Sequence, residues 1–241
     1  QPKRVGNRLL GRGGFDMKYA TACYIKLLKS LGKKLSTYDF GIMITTDEEI
    51  GGFDGVFTLL KNGYSSKICF LPDGGDNWNF QESAKGVLHL SVVSKGKSAH
   101  GSKPWKGINA IDSLNNFLRD LKNHYPTEPC GDKNHYHNTI NIGKIKGGEA
   151  TNSVPNRAEA LIDIRYTADT SKKEVVSVVK NVKQYYKKIK IREIVSGNAY
   201  KSNKNSPYLK LFSKIAYDEF KIKTSYIISH GSSDARFFND K

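Results

Sequence analysis

Three consecutive acids, Asp47-Glu48-Glu49, close an apolar run from Phe40 to Ile44 and lead into Ile50-Gly51-Gly52. A short apolar run that ends in a turn reads as a buried strand, and buried strands normally stop in neutral turn residues. Adjacent carboxylates repel one another and need a strong positive partner. A divalent metal ion suits them, because carboxylate oxygens are hard donors and zinc accepts them too. Taken alone, the triplet reads more simply as a solvated acidic turn. Further residues of the same kind shift that balance. Asp16 stands where a helical pattern begins, and Asp73 and Asp76 follow a second apolar run in Leu71-Pro72-Asp73-Gly74-Gly75-Asp76. His100 sits in a polar loop, Ser98-Ala99-His100-Gly101-Ser102-Lys103-Pro104, off any core pattern.

The elements that must position these residues alternate between strand and helix. Asp16 to Leu31 carries apolar residues at helical spacing and stops at Gly32, a helix C-cap signal. Phe40 to Thr46 reads as a strand, Phe53 to Lys61 as a helix and Lys67 to Leu71 as another short buried strand. This is the pattern of an α/β sheet, in which ligands collect at the carboxyl ends of strands. Both acidic clusters fall at such ends.

The middle of the chain differs. Gly86–Ser94, Thr139–Ile145, Ala158–Tyr166 and Lys188–Val195 read as strands, while Gly107–Asn123 and Ser171–Tyr186 have helical periodicity. The order β-α-β-β-α-β is the ferredoxin-like split unit. Residues 85–196 are therefore expected as an inserted domain, with 1–84 and 197–241 forming the first domain. Ser206 to Phe220 reads as a helix capped by Ser206 with Pro207 in its first turn, and Ser225 to Ile228 as a strand.

Composition narrows the function classes. The 241 residues carry 39 Lys and Arg against 23 Asp and Glu, a formal charge of +16. The basic residues are mostly Lys, spread along the chain, with no stripe of Arg and aromatics. Lys on exposed helix faces explains them better than nucleic-acid binding. No apolar run is long enough to cross a bilayer. The cysteines Cys23, Cys69 and Cys130 have no metal-knuckle spacing. Cys23 and Cys69 lie in apolar segments and are expected as small core residues. This usage fits a reducing, cytoplasmic compartment.

Four motifs in order carry a resemblance. They are Gly11-Arg12-Gly13-Gly14-Phe15-Asp16-Met17-Lys18, then Asp47-Glu48-Glu49-Ile50-Gly51-Gly52, then Ser98-Ala99-His100-Gly101-Ser102-Lys103-Pro104 with Gly107-Ile108-Asn109-Ala110-Ile111, and last Gly231-Ser232-Ser233-Asp234-Ala235-Arg236. Together they resemble the dinuclear zinc aminoacylase and exopeptidase family, which includes succinyl-diaminopimelate desuccinylase, acetylornithine deacetylase, glutamate carboxypeptidases and several dipeptidases. The resemblance implies a zinc-exopeptidase α/β catalytic domain with an inserted ferredoxin-like dimerisation or lid domain. It implies hydrolysis of an amide bond in an N-acyl amino acid or short peptide, with two Zn2+ per subunit, Co2+ or Mn2+ being possible substitutes. Asp16 would bridge the ions, Glu49 and Asp73 would be further ligands, and Glu48 would be the general base. Asp76 competes with Asp73 for its role, and Asp47 reads as a turn residue. His100 would steady the oxyanion across a homodimer formed by the inserted domain. Asn152 and Arg165 resemble the groups that hold the substrate's carbonyl and free carboxylate, and Gly231 and Ser232 resemble a pocket-lining Gly-Thr-Ser loop. Arg suits a carboxylate because its fork makes two parallel hydrogen bonds; the alternative for Arg165 is pairing with Asp163. The implied partners are a small substrate and a second subunit, with neither nucleic acid nor membrane. The family also takes a zinc ligand from a His upstream of Gly11 and another from a His near the carboxyl terminus. Neither is in this chain, which begins Gln-Pro-Lys-Arg and is expected to be a fragment. A catalytically inactive relative of the same fold is the alternative.

Overall fold

The computed structural model describes residues 1–73, 78–126 and 135–238. In chain order the regular elements are β1 (Lys3–Val5), β2 (Arg8–Leu10), α1 (Lys18–Leu31), α2 (Thr58–Lys61), β3 (Phe80–Ala84), β4 (Gly86–Lys95), α3 (Ala110–Lys122), β5 (Thr139–Gly147), β6 (Arg157–Tyr166), α4 (Lys172–Lys183), β7 (Ile189–Gly197), β8 (Tyr200–Lys201), α5 (Pro207–Phe220) and β9 (Tyr226–Ser229). They fall into two compact units. One comprises Gln1–Gln81, Ser206–Ser225 and Ser233–Lys241; the other comprises Glu82–Asn205 and Tyr226–Ser232.

The second unit is built on an antiparallel sheet of order β5-β6-β4-β7. Its strands alternate because one face is covered and the other is open. On β6, Ala158, Ala160, Ile162, Ile164 and Tyr166 point into the core, and Leu161, Asp163 and Arg165 point away. Helix α3 packs on β4, β5, β6 and α4. It buries Leu114, Phe117, Leu118 and Leu121, and α4 buries Val175, Val179 and Val182. Both helices start on side-chain caps: Asn109 accepts from the backbone of Ile111 and Asp112, and Ser171 forms a capping box with Glu174. Gly86 at the head of β4 leaves room for the ring of Tyr166, since a Cβ there would lie 2.3 Å from its Cζ. The Tyr166 hydroxyl donates to the Gly197 carbonyl at 2.8 Å. A smaller sheet, β8-β3-β9, completes this unit.

The first unit departs from the expected strand pattern. Residues 40–46 and 67–71 run outside any strand, without ladder partners among the described residues. Among the described residues its hairpin pairs β1 with β2, Lys3 opposite Leu10. Residues 53–61, expected as one helix, begin as a π-turn over Phe53–Phe57 before α2. Cys23 and Cys69, expected in a core, are exposed: Cys23 is on α1, which buries only Ala20 fully, and Cys69 lies in the run 67–71 outside any strand; Cys130 lies outside the described residues. Ser206 stands at the N-cap of α5, with Pro207 following as expected, but its side chain makes no capping hydrogen bond. Aromatic contacts hold α5 in place: Phe212 packs on Phe70, Trp78 and Phe80 with ring centres 5.3–5.8 Å away.

Candidate active site

The first unit carries the acids. Glu48–Ile50 forms a single 3-10 turn that starts at Asp47 and ends in Gly51 and Gly52, with φ of 114° and 64°. Those positive values fall where side-chain-bearing residues are strained. The Asp47 carboxylate accepts the backbone N–H groups of Asp54 and Gly55 at 2.9 and 2.8 Å. From the other end of the chain, Arg236 donates through Nη2 to the Gly51 carbonyl at 2.7 Å and through Nη1 to the Ser233 carbonyl at 3.0 Å. Asp234 fills the space beside Gly52, where a Cβ would come within 2.2 Å of its Oδ1. Asp234 and Arg236 are buried at 2% and 8% exposure, 3.5 Å apart. The motif containing these two residues was visible in the sequence, but their grip on the Glu48 turn was not; an Asp and an Arg two positions apart in an otherwise small-residue loop are the only signal.

The acids influence one another. Burial pushes the Glu48 carboxyl up to about 7, with Asp73, Asp234 and Glu49 adding to the effect and Arg236 opposing it. Burial likewise raises Asp234, against the pull of Arg236 and with help from Asp47 and Asp73. The Tyr19 hydroxyl donates to the Pro72 carbonyl. Its own pKa is raised by burial first, then by Asp73, Cys23 and Asp16. Asp73 thus bears on both Glu48 and Tyr19, and Asp16 bears on Tyr19. Asp16 does not cap α1; Met17 holds that position, after a cis Asp16–Met17 peptide. Asp76 lies outside the described residues.

Several carboxylates with one guanidinium among them offer the hard donors and the excess negative charge that a divalent cation matches. Among the described residues, however, no three His, Cys, Asp or Glu side chains form a group able to hold an ion unaided. The fit is one of donor chemistry and charge, and the ligand set is incomplete.

The second unit carries the remaining predicted residues. His100 pairs as an isolated bridge with Ser153, and the Gly101 N–H donates to the Asn152 carbonyl at 2.7 Å, so the His100 and Asn152 loops lie side by side. The backbone N–H of Ser102 donates to His100 Nδ1 at 3.2 Å, and the Ser102 hydroxyl lies 2.8 Å from the same atom. An Nδ1 that accepts leaves the proton of a neutral ring on Nε2, an assignment made from the hydrogen-bond network. The imidazole thereby presents an N–H donor. Arg165 instead pairs with Asp163, its Nε 2.9 and 3.1 Å from the two carboxylate oxygens, and His89 Nε2 approaches the same carboxylate at 3.2 Å. Gly231 donates its N–H to the Ser229 hydroxyl at 3.1 Å, and Ser232 follows it in the same loop.

Residues 83–190 match the M20 peptidase dimerisation domain. A probable carboxypeptidase of Aspergillus clavatus is 29% identical over 74% of this chain and 44% of its own length. A probable succinyl-diaminopimelate desuccinylase of Staphylococcus epidermidis is 28% identical over 96% of this chain and 64% of its own. The chain thus spans about half the length of these curated relatives. A tripeptidase structure from Staphylococcus aureus superposes with a TM-score of 0.79 at 24% identity, over 100% of this chain and 65% of that one. This likeness supports the α/β architecture with a ferredoxin-like second unit. Among the described residues, no helix is long and apolar enough to cross a membrane.

Proposed function

We propose that the chain, whose residues 83–190 match the M20 peptidase dimerisation domain, belongs to the M20 peptidases, and that the intact protein is a metal-dependent hydrolase of an amide bond in an N-acyl amino acid or short peptide. The observation that carries this reading is the half-buried position of Glu48, whose carboxyl is raised to about 7 by burial first and then by Asp73, Asp234 and Glu49. A base at that value exchanges protons readily near neutral pH. Glu48 takes a proton from the attacking water and later passes it to the leaving amine. Asp16, Glu49 and Asp73 would hold two divalent cations, Zn2+ foremost, together with residues outside this chain. When bound, such cations supply Lewis acidity to the scissile carbonyl and make water easier to deprotonate. His100, with its donor nitrogen free of Ser102, stabilises the oxyanion, and it does so across a homodimer formed through the second unit. Asn152, Arg165, Gly231 and Ser232 orient the substrate.

The rival reading, a non-catalytic relative, is favoured by the missing three-residue ligand group. One set of measurements on the intact protein separates the two. Metal analysis should find two Zn2+ per subunit in both wild type and Glu48→Gln, while Glu48→Gln should lose turnover of N-acyl amino acids and dipeptides by at least a thousandfold. Mixing Glu48→Gln with His100→Ala should restore part of the activity if His100 acts on the partner's site. A metal-free wild type, or an active Glu48→Gln, would overturn the assignment.

A further inference from the structure

Helix α4 stands farther off its sheet than α3 does. Helix α3 lies close on β4, β5 and β6, whereas the close neighbour of α4 is α3 itself. The space this leaves is a half-open groove of about 430 Å³ between α4, β4 and the edge strand β7. Leu88 and Leu90 form its floor, and Val176, Val179 and Ile191 its walls. The ladder supplies a cause: β7 shifts register against His89 and Leu90, so that Ile194 pairs with no residue of β4. Such a bulge bends the strand that carries it, and the groove opens beside it. It lies on the helix-covered face of the sheet, opposite to the face that carries Asp163 and Arg165.

The charges around the groove are uneven. Glu193, towards the start of α4, is already matched, because Lys172 Nζ reaches its carboxylate at 2.8 Å and the Ser196 hydroxyl at 2.7 Å. Lys180 and Lys183 line the groove in the last turn of α4. Among the described residues neither ammonium has an ion pair or a hydrogen bond. The helix dipole favours cations in that turn, but it does not account for the apolar floor beside them. Between Glu174 and Glu193 the chain carries six basic residues and no acid, so the potential at that end is positive. An apolar trough with two uncompensated ammonium groups at its mouth complements an amphipathic anion, methylenes for the trough and a carboxylate for the lysines. From Val176 to Lys183 the helix rises about 10 Å, the reach of a medium acyl chain. An added peptide strand fits less well, because Lys188, Lys190, Arg192 and the bulge guard the β7 edge against pairing.

We propose that the groove between α4 and β7 binds an aliphatic monocarboxylate, its chain on Leu90, Val176 and Ile191 and its carboxylate between Lys180 and Lys183. The site stands apart from the amide-hydrolase reading and does not depend on it.

Octanoate is the probe, with butanoate and octanol as controls, on the intact protein carrying 13C-labelled Ile, Leu and Val methyl groups. Octanoate should move the Val176 and Ile191 signals saturably, these being assigned by their loss in Val176→Ala and Ile191→Val. Butanoate, with a shorter chain to bury, should bind at least about tenfold more weakly, and octanol, without the charge, at least about fivefold more weakly. Lys180→Glu combined with Lys183→Glu should remove the preference for octanoate over octanol and leave octanol bound. Val176→Trp, which fills the groove, should weaken both at least about tenfold. The wild-type titration decides the matter even where a variant fails to fold. Val176 and Ile191 signals that stay still while octanoate binds exposed apolar residues of the first unit overturn the proposal. So do octanol binding as tight as octanoate, a double variant that keeps the preference, or phosphatidylglycerol vesicles moving signals that free octanoate leaves still.

Discussion

Arg236 crosses 185 positions of sequence to hold the carbonyl of Gly51, and that contact ties the Ser233–Arg236 loop to the turn that presents Glu48 and Glu49. Its guanidinium is buried with Asp234, lies 4.6 Å from the centre of the Phe237 ring, and bonds a second carbonyl at Ser233. Removing one member of a buried pair leaves the other charge uncompensated, which costs about 3–5 kcal/mol. Arg236→Met should therefore lower stability by about 3 kcal/mol in urea titration. Asp234→Asn combined with Arg236→Met should recover part of that loss, as coupled neighbours do. Additive losses would show that the two charges do not act as a pair. Asp234 and Arg236 were legible in the sequence only as letters of a motif. Their work depends on burial, and burial of a charged residue is set by distant segments that no local pattern reveals.

At the scale of elements, the legible parts were those whose fate is local. The strands of the second unit alternate because one face packs on α3 and α4, and that alternation is written residue by residue in Ala158–Tyr166. Residues 40–46 and 67–71 looked equally strand-like by their apolar content, yet a ladder needs a neighbour at the right register, and register is not local. Capping is local again, and α4 offers a clean test. Ser171 accepts from the Glu174 N–H at 3.2 Å, and Glu174 Oε2 accepts from the Ser171 N–H at 2.7 Å. Loss of such a cap costs about 1 kcal/mol, so Ser171→Ala should lower the unfolding free energy by about that amount. The Ser171 backbone and hydroxyl donors hold the Glu174 carboxyl below its usual 4.5. A depressed acid contributes stability above its unfolded pKa and loses it as pH falls through the folded one. The destabilisation of Ser171→Ala relative to wild type should therefore be full at pH 7 and shrink as pH drops below 4.5. A difference constant down to pH 3 would show that the Ser171 hydroxyl contributes nothing through the Glu174 charge, since the backbone N–H that also holds it remains in the variant.

Across the whole molecule, the two units differ in how much apolar surface they close. The second unit has a continuous core running from Leu88 and Val92 through Leu114, Phe117 and Leu121 to Ile162, Ile164 and Val175. The first unit fully buries Ala20, Val56, Leu60 and Ala216 but leaves Leu9, Phe15 and Ile50 66–80% exposed. Since apolar burial supplies most of the free energy that opposes chain entropy, the two should open independently and at different cost. Amide exchange on the 241-residue chain measures this directly. The N–H groups of β4 and β6, held on both sides in the sheet, should exchange only through opening of the whole second unit and be the slowest. Those of α1, and of residues 40–46 and 67–71 that lack ladder bonds, should exchange at least a hundredfold faster. If β4 and α1 instead exchanged at one common rate with one common denaturant dependence, the chain would unfold as a single cooperative body. The acid cluster around Glu48 would then rest on the stability of the second unit's core, where this reading makes it depend on the weaker first unit and on the Arg236 contact that closes its turn.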